Sequence, residues 1–349
     1  MKRPLLAPLT PLYAAGVACR NMRLARGWEE VQRLGLPVVS VGNLSTGGSG
    51  KTPLVIALAR LLEKQGVAVD VLSRGYGREG LKPTRVRKDG GAAEFGDEPL
   101  MLARELDLPI YVAAERYDAG LLAEGNLDAG KGRAIQSGEL LAAHLLDDGF
   151  QHRQLARDVD ILLLNRDDWH DALLPAGNLR EPRTAAMRAS AIVIPADEPE
   201  LVAELRAWGW QGPIWRLRRR MLIPPVEGPA AAFCGIARPG QFFDGLSQAG
   251  INVAVRTHFR DHHRYTTQDI QGLLAAARAA GATSMVTTEK DLVRLGDLAV
   301  LFPDLPPNAM PLKPVRLAVE FDDEAAIVSW LIDRLKAAQK RPAKAKAAL

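Results

Sequence analysis

The stretch VVSVGNLSTGGSGKTPLVIALARLL, residues 38–62, decides the fold. It begins as an apolar strand, passes through a glycine-rich loop and enters an amphipathic helix at Gly50-Lys51-Thr52. This order of strand, loop and helix is the context of a phosphate-binding loop, or P-loop, in which backbone N–H groups and the helix N-terminus bind phosphate oxygens. The residues predicted to bind nucleotide phosphates are Ser45, Thr46, Gly47, Gly48, Ser49, Gly50, Lys51 and Thr52.

The loop departs from the strict P-loop pattern GxxxxGK[ST], because Ser45 stands where the first glycine would fall. Its glycines follow the GGxGKT variant instead. In such a loop Lys51 contacts the β- and γ-phosphates of ATP, and the Thr52 hydroxyl ligates Mg²⁺. A turn that only links strand to helix is the alternative, but it gives no reason for Lys and Thr to follow three glycines.

A P-loop also needs an acidic residue for the metal ion at the end of a buried strand. Asp147 and Asp148 follow the apolar run LLAAHLL at 140–146 and are the candidates. Adjacent carboxylates at a strand end are costly unless they are solvated, paired or metal-bound. Side-chain alternation turns only one of them toward the nucleotide and leaves open which one. A solvated loop pair is the alternative to a metal site.

Short apolar segments alternate with helical periodicity along the first part of the chain. The predicted strands cover 36–43, 67–72, 108–113, 140–146, 159–165 and 190–195. Helices are predicted at 52–65 and 97–106, and 123–139 is predicted to be a polar, glycine-bearing loop. This alternation predicts an α/β fold of the P-loop NTPase type, with a mostly parallel sheet and helices on both faces.

A second, smaller α/β unit is predicted to begin near Pro224, after the basic run RLRRR at 216–220. Its predicted strands are 231–236, 251–259, 283–288 and 314–321, and its predicted helices include 266–279 and 323–338. We therefore divide the chain into an apolar, basic N-terminal segment (1–28), a P-loop core (29–223), a C-terminal α/β domain (224–335) and a basic tail (336–349) expected to be disordered.

Composition excludes several classes of protein. The 349 residues are 47% hydrophobic and 25% charged, which is typical of a globular chain rather than a disordered one. Two cysteines exclude a disulfide framework and a cysteine-rich zinc site, and they favour a reducing compartment. No run of 18 apolar residues is present, so no transmembrane span is predicted.

The net charge of +4 is concentrated at the two ends of the chain. Residues 1–26 and residues 336–349 carry basic residues and no acid, so the region between them is acidic. A nucleic-acid binder more often carries a basic stripe on its folded surface. Basic ends beside an apolar segment suit an anionic membrane surface.

The N-terminal segment is predicted to form a helix that lies in the bilayer interface. Its apolar residues precede three arginines spaced three residues apart. They are Leu5, Leu6, Leu9, Leu12 and Tyr13, followed by Arg20, Arg23 and Arg26. An ordinary helix that packs this apolar face on the domain is the alternative, and sequence does not decide between a helix that spans and one that lies on the bilayer.

Seven further motifs accompany the P-loop. They are SRGYGR (73–78), GDEP (96–99), LDDGFQHRQLARD (146–158), LPAGNLREP (174–182), FCGIARPGQF (233–242), FRDHHRYT (259–266) and TTEKDLVRL (287–295). Together with the P-loop they resemble the tetraacyldisaccharide 4'-kinase family of lipid A biosynthesis. The resemblance extends from the N-terminal apolar segment to about residue 320.

The resemblance implies phosphoryl transfer from ATP to the 4'-hydroxyl of a tetraacyldisaccharide 1-phosphate, which gives the bis-phosphorylated precursor lipid IVA. It also implies Mg²⁺ and a position on the cytoplasmic face of the inner membrane of a Gram-negative bacterium. No nucleic acid and no obligate protein partner are expected. His144, in the segment before Asp147, departs from a clean strand and leaves the length of the preceding loop open.

A kinase of this kind needs a group that orients and deprotonates the attacking hydroxyl. Asp97 is the candidate base because it stands where a helix should begin, and an N-cap is its alternative role. The family's aspartate–histidine pair falls on FRDHHRYT, where His262 is favoured over His263 as the residue that orients Asp97. Two surface turn histidines are the alternative. An assignment to His262 would place the site between the two α/β units.

Arg180 in GNLREP is the candidate for stabilising charge on the transferring phosphoryl group, because a guanidinium matches phosphate oxygens. Weaker candidates for lining the acceptor or nucleotide pocket are Tyr76, Arg78, Gln151 and His152. Lys290 and Asp291 follow a strand at a helix start and are expected to cap that helix without a catalytic role.

A membrane-recruited NTPase switch without a lipid acceptor is the rival interpretation, since such proteins also use GGxGKT loops. Many of those loops carry a lysine before the glycine pair, where this chain has Thr46. A switch would also leave Asp97 and the histidine motif without a purpose.

Overall fold

The computed structural model describes residues 3–47, 50–303 and 309–340. The predicted disordered tail begins too early, because residues 336–339 belong to the helix Glu324–Gln339. Residues 341–349 of that tail lie outside the described residues, as do Gly48 and Ser49 of the P-loop. The strands are β1 (Val38–Asn43), β2 (Ala68–Ser73), β3 (Thr84–Arg85), β4 (Ile110–Val112), β5 (Ala142–Asp147), β6 (Val159–Leu163), β7 (Ala191–Pro195), β8 (Ile214–Leu222), β9 (Ala230–Cys234), β10 (Val253–His258), β11 (Ser284–Thr288) and β12 (Leu312–Phe321).

The α-helices alternate with these strands. They are α1 (Thr10–Ala25), α2 (Lys51–Lys64), α3 (Ala92–Phe95), α4 (Asp97–Glu105), α5 (Arg116–Gly125), α6 (Ala129–Ser137), α7 (Arg166–Trp169), α8 (Glu200–Ala207), α9 (Pro239–Gln248), α10 (Thr267–Ala279), α11 (Glu289–Leu295) and α12 (Glu324–Gln339). Short 3-10 helices cover Pro4–Leu9, Arg183–Arg188 and Gly296–Leu301.

The described strands form one sheet in the order β10-β9-β11-β12-β8-β7-β6-β1-β5-β2-β4-β3. Its ladders are parallel except for β3 with β4 and β8 with β12. The predicted α/β fold with a mostly parallel sheet is therefore confirmed, and the predicted strands lie within about two residues of the observed ones. Because β1 lies between β5 and β6, the loop that follows β1 opens at the carboxyl edge beside Asp147.

The largest apolar core lies between the sheet and helices α2, α4 and α12. Leu54 and Leu58 of α2 are fully buried there, together with Ala143 and Leu145 of β5. Helix α12 closes the same core with Ile327, Leu331 and Leu335. The helix that follows the P-loop is thus held between the centre of the sheet and an element from the far end of the fold.

The basic run at 216–220 belongs to β8, a strand that is absent from the predicted set. Alternation explains it, because Trp215 and Leu217 are buried while Arg216 and Arg218 point outward. The strand pairs in parallel with β7 on one side and antiparallel with β12 on the other. Hydrogen bonding therefore continues across the predicted boundary near residue 224.

The prediction of a polar loop at 123–139 is wrong, since α5 extends to Gly125 and α6 covers Ala129–Ser137. The Asp128 carboxylate caps α6 by accepting a hydrogen bond from the Lys131 backbone N–H at 2.8 Å. Gly138 ends the helix in the left-handed conformation that favours glycine. These two capping residues outweigh the helix-breaking effect of the glycines between them.

The N-terminal segment forms a 3-10 turn and α1 along the side of the core. Tyr13 Oη donates to the Arg180 carbonyl at 2.9 Å, and Arg20 donates to the Gln151 carbonyl at 2.7 Å. Leu5 is 94% exposed and Leu12 is 75% exposed. Among the residues described, no helix is both long enough and apolar enough to cross a membrane.

Candidate active site

The P-loop leaves β1 at the carboxyl edge of the sheet and ends at Gly50. Gly50 has φ +86°, a left-handed conformation that costs glycine little, and α2 begins directly after it. Lys51 Nζ donates to Asn43 Oδ1 at 3.2 Å and lies 3.5 Å from Asp148 Oδ1. The side chain therefore folds back over the loop, toward the place where bound phosphates would lie.

The earlier part of the loop packs on the segment before Arg180. Ser45 is buried and forms an isolated β-bridge with Leu179, while the Thr46 N–H donates to the Asn178 carbonyl at 2.8 Å. Thr52, in the first turn of α2, is also largely buried. Six of the eight predicted phosphate-binding residues are described, and they lie between the end of β1 and the first turn of α2. Gly47, like Gly50, has a positive φ.

Asp147 and Asp148 occupy different environments. Asp147 ends β5 on the same face as Leu145, which packs in the core of α2, so its carboxylate turns toward the P-loop helix. Asp148 follows in the turn and lies 2.9 Å from Arg180 Nη1. Neither residue is a solvated loop acid, because both are held among buried or charged neighbours.

The Asp147 carboxylate is poorly compensated. Within the described residues its buried Oδ1 has no hydrogen-bond partner. Burial raises the pKa of Asp147, and the nearby Glu98 and Asp148 carboxylates raise it further. Burial also acts to raise the pKa of Asp148, but the charges of Lys51 and Arg180 outweigh it and lower that pKa below its ordinary value. An orphaned carboxylate oxygen beside a P-loop fits a hard divalent cation.

No group of three or more His, Cys, Asp or Glu in the described ranges is arranged to hold a metal ion by itself. This fits Mg²⁺, which usually takes one or two protein oxygens and completes its shell with substrate phosphates and water. The Thr52 hydroxyl and the Asp147 carboxylate are the protein oxygens that suit this role.

Asp97 begins α4 and faces His262 from the C-terminal half of the chain. His262 Nδ1 lies 3.0 Å from Asp97 Oδ2. Gly96 occupies the N-cap position, and Asp97 provides no side-chain cap to α4, so the alternative role of Asp97 as an N-cap is wrong. His263 instead contacts Asp269, with Nε2 to Oδ2 at 3.1 Å. The structure therefore brings His262, not His263, to Asp97.

Backbone strain falls on two of the predicted residues. Asp148 has φ +50° and His262 has φ +59°, the positive-φ residues other than glycine in the described chain. Such conformations cost about 1–3 kcal/mol each and persist only where the surroundings enforce them. Strain at these two positions marks the same region as the sequence motifs.

A third residue joins the Asp97–His262 pair, and sequence reasoning missed it. Arg294 Nε donates to Asp97 Oδ2 at 2.6 Å, and Nη2 lies 3.2 Å from His262 Nδ1. Burial acts to raise the pKa of Asp97, but the hydrogen bond from His262 and the charge of Arg294 lower it below its ordinary value. The sequence feature that could have indicated Arg294 is the motif TTEKDLVRL, in which Arg294 is the last residue but one.

Arg180 lies beside Asp148, the carboxylate that also pairs with Lys51. Its Nη1 donates to both Asp148 oxygens, at 2.9 and 3.1 Å, and to Gln151 Oε1 at 3.2 Å. Gln151 in turn donates from Nε2 to the Asn43 carbonyl at 2.8 Å. The Arg180 side chain is only 26% exposed, so this arginine is held among its partners rather than solvated.

The weaker candidates lie around this centre. The Tyr76 ring is 5.3 Å from the His262 ring between centroids, whereas Arg78 donates to the Lys82 carbonyl. Burial and nearby arginines lower the pKa of His152 to about 4. Lys290 pairs with Glu98 across α11 and α4 at 2.9 Å.

The expectation that Lys290 and Asp291 cap α11 is wrong. The N-cap is Thr288, whose Oγ1 accepts a hydrogen bond from the Asp291 N–H at 3.1 Å, and the Asp291 carboxylate accepts one from the Thr288 hydroxyl. The motif residues thus form two groups, one around Lys51 and Asp148 and one around Asp97 and His262. Glu98 follows Asp97 on α4; burial acts to raise its pKa, but the charges of Lys290 and Lys51 lower it below its ordinary value.

Comparison with known proteins gives a consistent result. The family model described as Tetraacyldisaccharide-1-P 4'-kinase matches residues 2–336. A tetraacyldisaccharide 4'-kinase of Koribacter versatilis is 42% identical over 336 residues, covering 93% of this chain and 97% of that protein. One from Nitrobacter winogradskyi is 38% identical, with 94% and 93% covered. A crystal structure of LpxK from Aquifex aeolicus, described as in complex with ATP, aligns with a TM-score of 0.71 at 31% identity over 95% of this chain and 98% of that one.

Proposed function

Because the chain belongs to the tetraacyldisaccharide-1-P 4'-kinase family, we propose that it uses the Asp97–His262 pair to activate its acceptor hydroxyl. The protein is an enzyme that binds ATP and transfers a phosphoryl group to the 4'-hydroxyl of a tetraacyldisaccharide 1-phosphate, a step of lipid A biosynthesis. The observation that carries the residue assignment is the 3.0 Å contact between His262 Nδ1 and Asp97 Oδ2.

On the nucleotide side, the described loop residues and Lys51 bind the phosphates of ATP through backbone N–H groups and the lysine ammonium. Arg180 faces the same space and stabilises charge on the transferring phosphoryl group. In the structure both cations are paired with Asp148, which keeps them oriented. Their pairing with one carboxylate supports a shared task at the phosphates.

The proposed metal site consists of Thr52 and Asp147, with Asp148 beside them holding the two cations. When bound, Mg²⁺ neutralises charge on the β- and γ-phosphates of ATP. The unpaired Oδ1 of Asp147 supports this assignment over Asp148, whose oxygens already accept hydrogen bonds from Arg180.

On the acceptor side, Asp97 accepts the proton of the 4'-hydroxyl while His262 holds the carboxylate in place. A carboxylate of low pKa suits a loose phosphoryl-transfer transition state, in which the attacking oxygen is deprotonated late. Under the proposed division at residue 224, Asp97 comes from the P-loop core and His262 from the C-terminal domain. The site then lies between the two units, where their approach excludes water.

The acceptor carries four acyl chains, so we infer that the enzyme works at a membrane surface. The exposed leucines of the N-terminal segment are suited to the bilayer interface, and the exposed Arg23 and Arg26 to anionic headgroups. The same segment contacts the Arg180 and Gln151 carbonyls, which links membrane contact to the site. We place the enzyme on the cytoplasmic face of the inner membrane, where ATP is available.

The test is transfer of radiolabelled γ-phosphate from ATP to detergent-dispersed tetraacyldisaccharide 1-phosphate. We expect label in the lipid with the wild-type chain and a loss of about 10²–10⁴-fold with Asp97→Ala. ATP hydrolysis that does not depend on the lipid, with no labelled product, would favour the rival NTPase switch. Wild-type transfer by Asp97→Ala would remove Asp97 from the role of base.

A further inference from the structure

Arg294 occupies a central position beside the catalytic pair, although it lies on a different element from either member. Its side chain is only 3% exposed, on the last turn of α11. Nε donates to Asp97 Oδ2 at 2.6 Å, and Nη2 lies 3.2 Å from His262 Nδ1 and 3.5 Å from Asp261 Oδ1. One guanidinium therefore contacts both members of the pair and the residue next to His262.

A second set of contacts fixes the far side of the guanidinium. Nη1 donates to the Gly235 carbonyl and, at 3.2 Å, to Asp291 Oδ1. Asp291 is fully buried and accepts hydrogen bonds from the Gly235 N–H at 3.1 Å and from Tyr265 Oη at 3.0 Å. The Nη1 end of the guanidinium is thus fixed by groups other than Asp97 and His262.

The contacts around His262 Nδ1 restrict the proton arrangement of the pair. This nitrogen carries either a proton or a lone pair, so it can donate to Asp97 or accept from Arg294, but not both at once. Arg294 is always protonated and donates in either case. A donor fixed next to Nδ1 and Asp97 Oδ2 therefore limits where the imidazole and the carboxylate can move relative to each other.

We propose that Arg294 is a positioning residue, which fixes the Asp97 carboxylate and the His262 ring in the geometry that receives the proton of the acceptor hydroxyl. This inference rests on the proposed role of Asp97 as the base. Arg294 touches neither nucleotide nor acceptor in this assignment, and it acts through Asp97. It also makes α11 part of the site, because α4 supplies the base and α11 supplies the residue that holds it.

The charges around Asp97 are consistent with this role. The groups that face it or lie beside it are His262, Arg294 and Asp261, with Asp291 behind the arginine and the Glu98–Lys290 pair alongside. Arg294 is one of the causes that lower the pKa of Asp97 against the effect of burial. Its removal would leave a half-buried carboxylate with a histidine as its remaining close partner.

The test is a double-mutant cycle with the transfer assay. Arg294→Gln should lower kcat by about 10-fold or more, because a misplaced reacting group costs about 10²-fold per ångström, while KM for ATP changes by less than about twofold. Arg294→Lys should recover part of kcat, since one ammonium reaches Asp97 without holding Asp291 as well. In the Asp97→Ala background, Arg294→Gln should have no further effect on kcat.

Arg157→Gln is the matched control. Arg157 has an 8% exposed side chain and pairs with Asp160 at 3.0 Å, away from Asp97. We expect this control to reduce stability while kcat per folded molecule stays at the wild-type value. In ¹⁵N-histidine spectra, Arg294→Gln should shift the His262 ring nitrogens and leave those of His144 unchanged, because His144 lies in a separate buried cluster.

The results separate the two proposals. The positioning role would be overturned if the losses in kcat for Asp97→Ala and Arg294→Gln multiply in the double variant. It would also be overturned if both Arg294 variants fold and keep the wild-type kcat. Either result leaves the base assignment intact. A wild-type kcat in Asp97→Ala would overturn the base assignment itself. If Arg294→Gln does not fold, Arg294→Lys in the same cycle decides the question.

Discussion

Strand β5 carries two buried ionisable residues three positions apart, and their surroundings differ. His144 Nδ1 lies 2.7 Å from Asp70 Oδ1, and Nε2 lies 3.3 Å from Glu124 Oε1. Glu124 also accepts a hydrogen bond from the Leu36 N–H at 2.7 Å. Asp147, at the carboxyl end of the strand, has an unpaired oxygen and two carboxylates nearby.

The two clusters show how buried charge is used in this fold. Around His144 each ring nitrogen has a carboxylate partner, and Glu124 accepts a further hydrogen bond from the Leu36 N–H, so the polar atoms of the cluster are paired within the protein. Around Asp147 compensation is incomplete, and the strained residue Asp148 lies next to it. The difference indicates a structural role for the first cluster and a ligand-binding role for the second.

The largest effect is expected for substitutions at the proposed catalytic pair, Asp97 and His262. Asp97→Ala and His262→Ala should each lower kcat by up to about 10²–10⁴-fold. Because they act as a unit, the double variant should be scarcely slower than the slower single variant. The transfer assay on all three proteins checks this, and a silent His262→Ala with a slow His263→Ala would move the role by one residue.

Removal of His144 tests the structural role of the cluster that it forms with Asp70 and Glu124. His144→Leu leaves the Asp70 and Glu124 carboxylates buried without a cation, which should cost about 3–5 kcal/mol of unfolding free energy. Urea denaturation measures this loss, and His144→Leu combined with Asp70→Leu should recover part of it. The kcat of the folded variant should match the wild type. A tenfold fall in kcat at unchanged stability would contradict the comparison.

Lys51→Ala tests the phosphate loop at the carboxyl edge of the sheet, because it removes the cation that pairs with Asp148. We expect the transfer rate to fall by at least about 10²-fold, equivalent to about 2.7 kcal/mol, because transition-state charge loses its fixed counterion. The urea midpoint should change little. Near-normal transfer by the purified variant would contradict the P-loop assignment.

Alkaline pH should weaken the His144 cluster. Burial acts to lower the pKa of His144, but Asp70 and Glu124 raise it from 6.5 to about 9. The folded state therefore keeps a proton that the unfolded chain loses above about pH 6.5, so this contribution is complete below that pH. It declines by about 1.4 kcal/mol per pH unit until pH 9 and is then lost. Urea titrations of wild type and His144→Leu should converge as the pH rises through this window.

The smallest effect is expected at the N-terminal segment. Deletion of residues 1–26 should release the protein from anionic vesicles and raise KM for lipid, while ATP binding persists. Arg23 and Arg26 should contribute about 1 kcal/mol each near anionic headgroups. High salt should remove only this part of the binding and leave the apolar part, so it should release the intact protein only in part. Equal sedimentation of truncated and full-length protein with vesicles would assign membrane contact elsewhere.

Sequence predicted the elements that depend on local pattern. The P-loop and the alternating strands and helices follow from motifs in the sequence, whereas the approach of His262 to Asp97 was implied by the family resemblance. Strand β8 was missed because arginines obscure the alternation of Trp215 and Leu217. The sequence left open where the strand before Asp147 begins, because His144 interrupts its apolar pattern. In the structure His144 lies within a regular strand that is paired on both sides.

The contacts that sequence could not supply are those between distant helices. Arg294 meets Asp97, and Lys290 meets Glu98, only because α11 packs on α4 in the folded protein. Nothing in the local spacing of either motif indicates this pairing. The same holds for Asp70 and Glu124, which reach His144 from a neighbouring strand and from α5.

Helix α12 has a consequence for synthesis of the chain on the ribosome. Ile327, Leu331 and Leu335 complete the core that contains α2, and Gln339 donates to the Ile135 and Leu140 carbonyls. Until this helix emerges from the exit tunnel, the nascent P-loop unit exposes an apolar face that it cannot cover itself. The nascent chain should therefore depend on chaperone protection until α12 has left the tunnel, even though the nucleotide loop is made near the beginning.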